Sequence, residues 1–419
     1  MRLHSDHAKG VTRPRNTTDR QGVDCAGREV FMKDSHRARL TRLTRRELIG
    51  KLGVGAAFGL LATRHATPLA LAQAGGWQSL RGATVAFPKG SIVRTILKDI
   101  SPETLSSGAT QIHEHIGSRY APTPPLGPSD IPPGPIAPAS EAEYLDLIVD
   151  ELKMSRADGL SCLVDAATDR RDDQQIANLK QMASRSGMHI VVAGGYYQDL
   201  ALAKYAPRVV QSSEDELVAE FVRDASQQRW GAFGEIASSQ PMQAEERKVL
   251  RAIGKAHVRT GLPVFTHTPH ESCPSCALEQ LDLFESMGVD VHHLCIGHLS
   301  AIKPGAEPLG QTAKAIAKRG AYLGFDTVGH MMGRSMIPEA HKVRYILAVL
   351  EAGFEDHILL SPDSTPGPQF KANWGNGFSS VLVQFIPKLR YAGVKEATLR
   401  KILIDNPRRF LSFVPKQST

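Results

Sequence analysis

Eight times along this chain a short run rich in β-branched and aromatic residues gives way to a helix-length amphipathic segment. No other feature restricts the fold as strongly. Parallel strands must return to the same end of a sheet through a crossover, usually a helix, so this alternation predicts a parallel α/β fold. The candidate strands are 108–115, 161–166, 189–194, 232–236, 263–268, 292–298, 321–326 and 357–363. Eight such units point to a closed (β/α)8 TIM barrel, and two short runs ahead of it, 83–87 and 92–97, read as an N-terminal strand pair.

Capping chemistry marks the helix starts. In Ser140-Glu141-Ala142-Glu143 and Ser213-Glu214-Asp215-Glu216 a hydroxyl and a carboxylate three residues apart can satisfy the unpaired N–H groups of a first helical turn. Tyr144, Leu147, Ile148 and Leu152 then recur at helical spacing and predict a stripe against the barrel wall. The proline-loaded stretch 117–139 predicts a loop over the barrel mouth, because it directly follows the first strand.

Metal-binding side chains fall at the strand ends. His113 and His115 end the first strand, Glu235 the fourth, His267 the fifth, His298 the sixth and Asp363 the eighth. In such a barrel the carboxyl ends of all strands meet on one face, so residues hundreds of positions apart become neighbours. The two-residue period of a strand puts His113 and His115 on one side, and turns Glu114 away toward packing or a supporting hydrogen bond. Any one strand-end histidine is more often structural than a ligand, and a lone aspartate can simply cap a helix. Six together point to a metal centre. Imidazole and carboxylate ligands suit zinc first, with manganese, cobalt or iron as alternatives. Two divalent ions would lower the pKa of a bridging water and clamp the attacked and leaving oxygens, which requires a bridging anion, and Glu235 is the candidate. Asp363 can hold metal and accept the proton of that water, so it is the expected general base.

The chain has 419 residues, 42% hydrophobic and 22% charged, an ordinary globular composition. Its net charge of +7 would suggest a nucleic-acid partner, but residues 1–74 hold fourteen Lys/Arg against six Asp/Glu. The remainder is close to neutral, so no nucleic acid is expected. Arg45-Arg46, the apolar run 52–62 and the small residues around Ala70-Leu71-Ala72 and Ala72-Gln73-Ala74 have the layout of an export leader similar to a twin-arginine signal. The expected division is therefore 1–74, leader and extension, and 75–419, barrel, with the twin-arginine export machinery as a partner in transit to the periplasm or medium. Met32 offers an alternative start, and a retained anchor is the alternative to cleavage. Cys25 lies in the leader. Cys273-Pro274-Ser275-Cys276 has the spacing of half a zinc site or a redox pair, yet no second pair completes it; a loop-stapling disulfide and two free thiols both stay open.

The segments Gln111-Ile112-His113-Glu114-His115-Ile116-Gly117, Gly234-Glu235-Ile236, Pro263-Val264-Phe265-Thr266-His267-Thr268, Cys295-Ile296-Gly297-His298 and Leu360-Ser361-Pro362-Asp363 resemble the ordered motifs of the phosphotriesterase-related family of the amidohydrolase superfamily. The ending Ile402-Leu403-Ile404-Asp405-Asn406-Pro407-Arg408-Arg409-Phe410-Leu411 is similar to that family's closing helix, so the match spans 83–414. The resemblance implies a binuclear centre: His113, His115 and Asp363 on one metal, His267 and His298 on the other, and a fourth-strand carboxylate between. Phosphotriesterase bridges with a carbamylated lysine. Here Glu235 stands in its place, as in the branch similar to phosphotriesterase homology proteins, which puts organophosphate hydrolysis in doubt. The resemblance also suggests that Tyr196 or Tyr197, in Gly194-Gly195-Tyr196-Tyr197, reaches the substrate oxygen, with core packing as the alternative for each. Asp326, Thr327 and Arg334 are candidates for shaping the leaving-group pocket.

The expected activity is hydrolysis of an ester-like bond, a lactone or carboxylic ester, in a small molecule. A phosphotriester or phosphodiester hydrolase is the nearest rival. A mononuclear deaminase or amidase and a non-catalytic exported binding protein follow, and a homodimer is one of the open assembly states.

Overall fold

In a computed structural model of the chain, residues 85–117, 138–168, 170–197, 206–269, 273–329, 337–365 and 369–416 are described. The leader, Cys25, most of the 117–139 loop and Arg334 lie outside these residues.

Eight parallel strands follow one another in chain order around a single sheet. They are β1 (Ala109–Glu114), β2 (Leu160–Asp165), β3 (His189–Gly194), β4 (Trp230–Ala237), β5 (Val264–His267), β6 (Leu294–Ile296), β7 (Tyr322–Phe325) and β8 (Ile358–Leu360). Between β8 and β1 the closure is made by a side chain: Ser361 Oγ accepts from the N–H groups of Ile112 at 2.8 Å and His113 at 3.1 Å. His115 N–H then donates to Ser364 O at 2.9 Å. The result is a (β/α)8 TIM barrel.

The helices start where the capping residues predict. Ser140 Oγ accepts from Glu143 N–H ahead of α1 (Glu141–Ala157), and Ser213 and Glu216 cap each other's backbone ahead of α4 (Glu214–Gln227). Between them run α2 (Asp173–Ser186) and the short α3 (Ala206–Gln211). On α1, Ile148 and Leu152 are fully buried, and Tyr144 and Leu147 pack against the same core.

The N-terminal strand pair differs from expectation. Residues 85–87 form no strand; the antiparallel pair is Val93–Arg94 with Asp99–Ile100. The apolar run bends because Thr95 Oγ1 donates to Lys98 O at 2.7 Å and accepts Lys98 N–H at 3.2 Å, closing a turn inside it. Ile96, at the apex of that turn, donates its N–H to Ile190 O at the foot of β3.

Candidate metal centre

All six expected ligands converge at the carboxyl ends of the strands, and Glu235 lies between them. Its Oε1 is 3.3 Å from His115 Nε2; its Oε2 is 3.1 Å from His113 Nε2, 2.8 Å from His267 Nδ1 and 3.5 Å from His298 Nε2. Asp363 Oδ1 is 3.2 Å from His115 Nε2 and 3.7 Å from His113 Nε2. His298 Nε2 and His267 Nδ1 are 2.7 Å apart. Among the described residues two donor groups are able to hold a metal: His113, His115 and Asp363, and His113, Glu235 and His298. In the second, His113 appears rather than His267, which closes on Glu235 and His298 from the other side.

Local backbone makes the convergence. His298 and Asp363 lie just past the ends of β6 and β8, both in the left-handed region at φ 58° and 52°. That turn carries each side chain back over the barrel mouth instead of onward along its strand.

Asp326 corrects an expectation. It does not shape a pocket but lies buried beneath the ligands, facing His113 Nδ1 at 3.1 Å and His298 Nδ1 at 3.0 Å, and accepting His298 N–H at 2.8 Å. A carboxylate on Nδ1 fixes the tautomer and aims Nε2 outward with its lone pair free, the usual support behind metal-binding histidines. Gly297 makes room for it: a Cβ there would come within 2.9 Å of Asp326 Oδ2 and 2.0 Å of Thr266 O. Glu114 faces away from the ligands and supports from the side, with Oε1 2.6 Å from Gln111 Nε2 and Oε2 accepting Ser364 N–H at 3.0 Å, next to Asp363.

The two tyrosines separate, because adjacent residues leave a strand end in opposite directions. Tyr197 hydroxyl touches the His267 ring, 3.1 Å from Nδ1 and 3.0 Å from Nε2. Tyr196, expected as its alternative, turns into the helical layer, where its hydroxyl donates to Glu220 and its ring packs on Phe221. It does not reach the ligands.

The electrostatics call for a cation. Three carboxylates, Glu235, Asp326 and Asp363, are buried together with His113, His267 and His298, with the partly exposed His115 beside them, and such a concentration of charge needs neutralising. His113 Nε2 is buried, makes no hydrogen bond among the described residues, and faces carboxylate oxygens. Burial would lower the basicity of His115 and His298, but Asp363 and Glu235 beside the first and Asp326 beside the second raise them to about 10 and about 9. His267 moves the other way, lowered by burial and by neighbouring His298. Burial opposes ionisation of Glu235 and Asp363, yet the surrounding histidines hold both below the ordinary carboxylate range. Without metal the carboxylates hold protons on His113, His115 and His298; a divalent ion would displace those protons, and the set of imidazole and carboxylate donors fits such an ion.

Comparison with known proteins places the chain in a family. The phosphotriesterase family model matches residues 93–411. N-acetyltaurine hydrolase of Salmo salar is 29% identical over 353 residues, covering 77% of this chain and 98% of that protein. The Homo sapiens N-acetyltaurine hydrolase is also 29% identical over 353 residues, with the same coverage. Among solved structures, a resiniferatoxin-binding protein from Rhodobacter sphaeroides superposes with a TM-score of 0.63 at 28% identity, covering 76% of this chain and 94% of that one. The phosphotriesterase homology protein from Escherichia coli, complexed with phosphate in its active site, gives 0.59 at 25% identity, over 74% of this chain and 100% of that one. With a match over most of its length and a ligand cluster at the expected strand ends, the chain belongs to the phosphotriesterase family.

Proposed function

We propose that this hydrolase cleaves a small acyl compound at its carbonyl carbon, using two divalent ions held by His113, His115 and Asp363 on one side and His267 and His298 on the other, with Glu235 between. The observation that carries the reading is the division of the Glu235 carboxylate, one oxygen toward His115 and the other toward His113, His267 and His298. When bound, such ions make water acidic enough to attack at neutral pH and polarise the carbonyl.

The chain's own groups then have distinct tasks. Asp363, ionised and 3.2 Å from His115, accepts the proton of the attacking water and returns it to the leaving group. Asp326 fixes His113 and His298. Tyr197, part-buried with its hydroxyl against His267, donates to the substrate oxygen on which charge develops.

The leaving group separates two readings. An N-acyl amide is our choice, supported by the N-acetyltaurine hydrolases that align over nearly their whole length. An amide nitrogen must be protonated to leave, and the proton held at Asp363 supplies that need. The lactone or carboxylic ester suggested by the motifs shares the attack at carbonyl carbon and stands second. Purified protein loaded with zinc, manganese or cobalt should be assayed on N-acetylated amino sulfonates and amino acids, lactones, aryl esters and aryl phosphates. Fastest turnover of the amides is expected. Turnover confined to phosphate esters would reject carbonyl chemistry. We also propose that residues 1–74 direct export, so that the enzyme works in the periplasm or medium.

A further inference from the structure

His113 and His298 are aimed by Asp326, but His267 is fixed through its backbone. The carbonyl of His267 accepts from Gln280 Nε2 at 2.9 Å, and the same amide donates to Ser238 Oγ at 2.8 Å. Ser238 lies three residues beyond Glu235, and its own N–H reaches His267 O at 3.3 Å. One side-chain amide therefore ties the end of β4, carrying Glu235, to the end of β5, carrying His267.

Gln280 is fully buried, and its Oε1 has no hydrogen-bond partner among the described residues. Leaving a buried acceptor unsatisfied is unfavourable, a cost an aliphatic residue of similar size would avoid. A glutamine there is explained by its two donated hydrogens and not by packing. It projects from the helix Pro274–Ser286, one turn after Cys276 and on the same face. Cys276 is disulfide-bonded to Cys273, which is the N-cap of that helix. The pair thus closes the first turn of the element that delivers Gln280.

We propose that Gln280 is a positioning residue for the ligand His267, held in register by the Cys273–Cys276 disulfide. The proposal rests on reading His267 as a metal ligand. Because His267 serves one of two ions, disturbing Gln280 weakens that ion selectively.

The test uses the full chain, as wild type, Gln280→Leu and Cys273→Ser/Cys276→Ser, loaded with zinc and titrated with a chromophoric chelator. Wild type should release two ions. In Gln280→Leu one ion should be lost at least tenfold more readily while the other stays within threefold of wild type, and the double serine variant should shift the same ion by a smaller factor. Both ions unchanged would overturn the proposal. So would both weakening in parallel with the melting temperature of the metal-free protein, since that is a general structural defect. Should Gln280→Leu not fold, wild type reduced by a water-soluble phosphine carries the test. The phosphine becomes its oxide with oxygen from water, the S–S bond breaks and each sulfur takes a proton. Amide hydrogen exchange of residues 264–267 in the metal-free protein should then rise at least fivefold; no rise overturns the proposal. A wild type binding fewer than two ions would reject the binuclear reading, while the exchange measurement still judges this one.

Discussion

Replacing Asp326 with asparagine removes the charge under the centre with almost no change in shape. The aspartate uses Oδ1 twice, for His298 Nδ1 at 3.0 Å and His298 N–H at 2.8 Å, and Oδ2 once, for His113 Nδ1 at 3.1 Å. An asparagine keeps one oxygen. Turned to preserve the two contacts with His298, it presents NH2 to His113 Nδ1–H, donor against donor. The reverse orientation leaves two donors unsatisfied and is worse. His113 must then carry its proton on Nε2, where the lone pair is needed. A buried unsatisfied donor costs about 1–3 kcal/mol, and lost supporting bonds of this kind lower metal affinity about 10–100-fold. The ion held with His115 and Asp363 should therefore weaken by about 10–100-fold, and the ion beside His267 by much less. Calorimetric titration of metal-free protein would resolve the two steps, with melting of the metal-free protein as the folding control. Equal affinities within threefold, or prior loss of the ion beside His267, would refute the reasoning.

Other expected outcomes follow from the same geometry. Glu235→Gln should lower kcat by roughly 10²–10³, the scale of losing a charge-stabilising group, with the secondary-structure spectrum unchanged. Tyr197→Phe should lower kcat/KM about tenfold, whereas Tyr196→Phe should leave it within twofold and cost about 1 kcal/mol of stability through the lost Glu220 bond. In metal-free protein the neighbouring carboxylates, outweighing burial, push His115 and His298 up to about 10 and about 9, above their unfolded value of ~6.5. Their stabilising contribution is complete below pH ~6.5 and lost as pH rises through about 9 to 10, so the metal-free melting temperature should fall over that window, and the loaded enzyme should lack this fall. Arg45→Lys/Arg46→Lys should trap the protein in the cytoplasm if residues 1–74 are a twin-arginine signal, as cell fractionation would show.

Much of this was legible in the sequence. Eight β-rich runs with amphipathic segments between them specify the barrel, and strand-end histidines and acids become neighbours in it whatever their separation. What stayed hidden depends on direction and depth. Nothing in the local pattern distinguishes Tyr196 from Tyr197, since either parity of leaving β3 is compatible with it. Asp326 follows its strand as Asp363 follows its own, and no sequence signal tells that it lies beneath the ligands, facing the Nδ1 atoms of His113 and His298 in the room Gly297 leaves. The bend at Thr95–Lys98 uses a side-chain bond that an apolar run conceals. Gln280 sits mid-helix in a sequence with no strand-end signal, so its contact with His267 comes from packing alone.

The central claim is a cation pair bridged by Glu235, and anomalous diffraction from crystals of the zinc-loaded protein tests it most directly. Two peaks about 3.5–4 Å apart are predicted, one against His113, His115 and Asp363, the other against His267 and His298, with a Glu235 oxygen on each. A single peak, or Glu235 turned from both, would contradict the account.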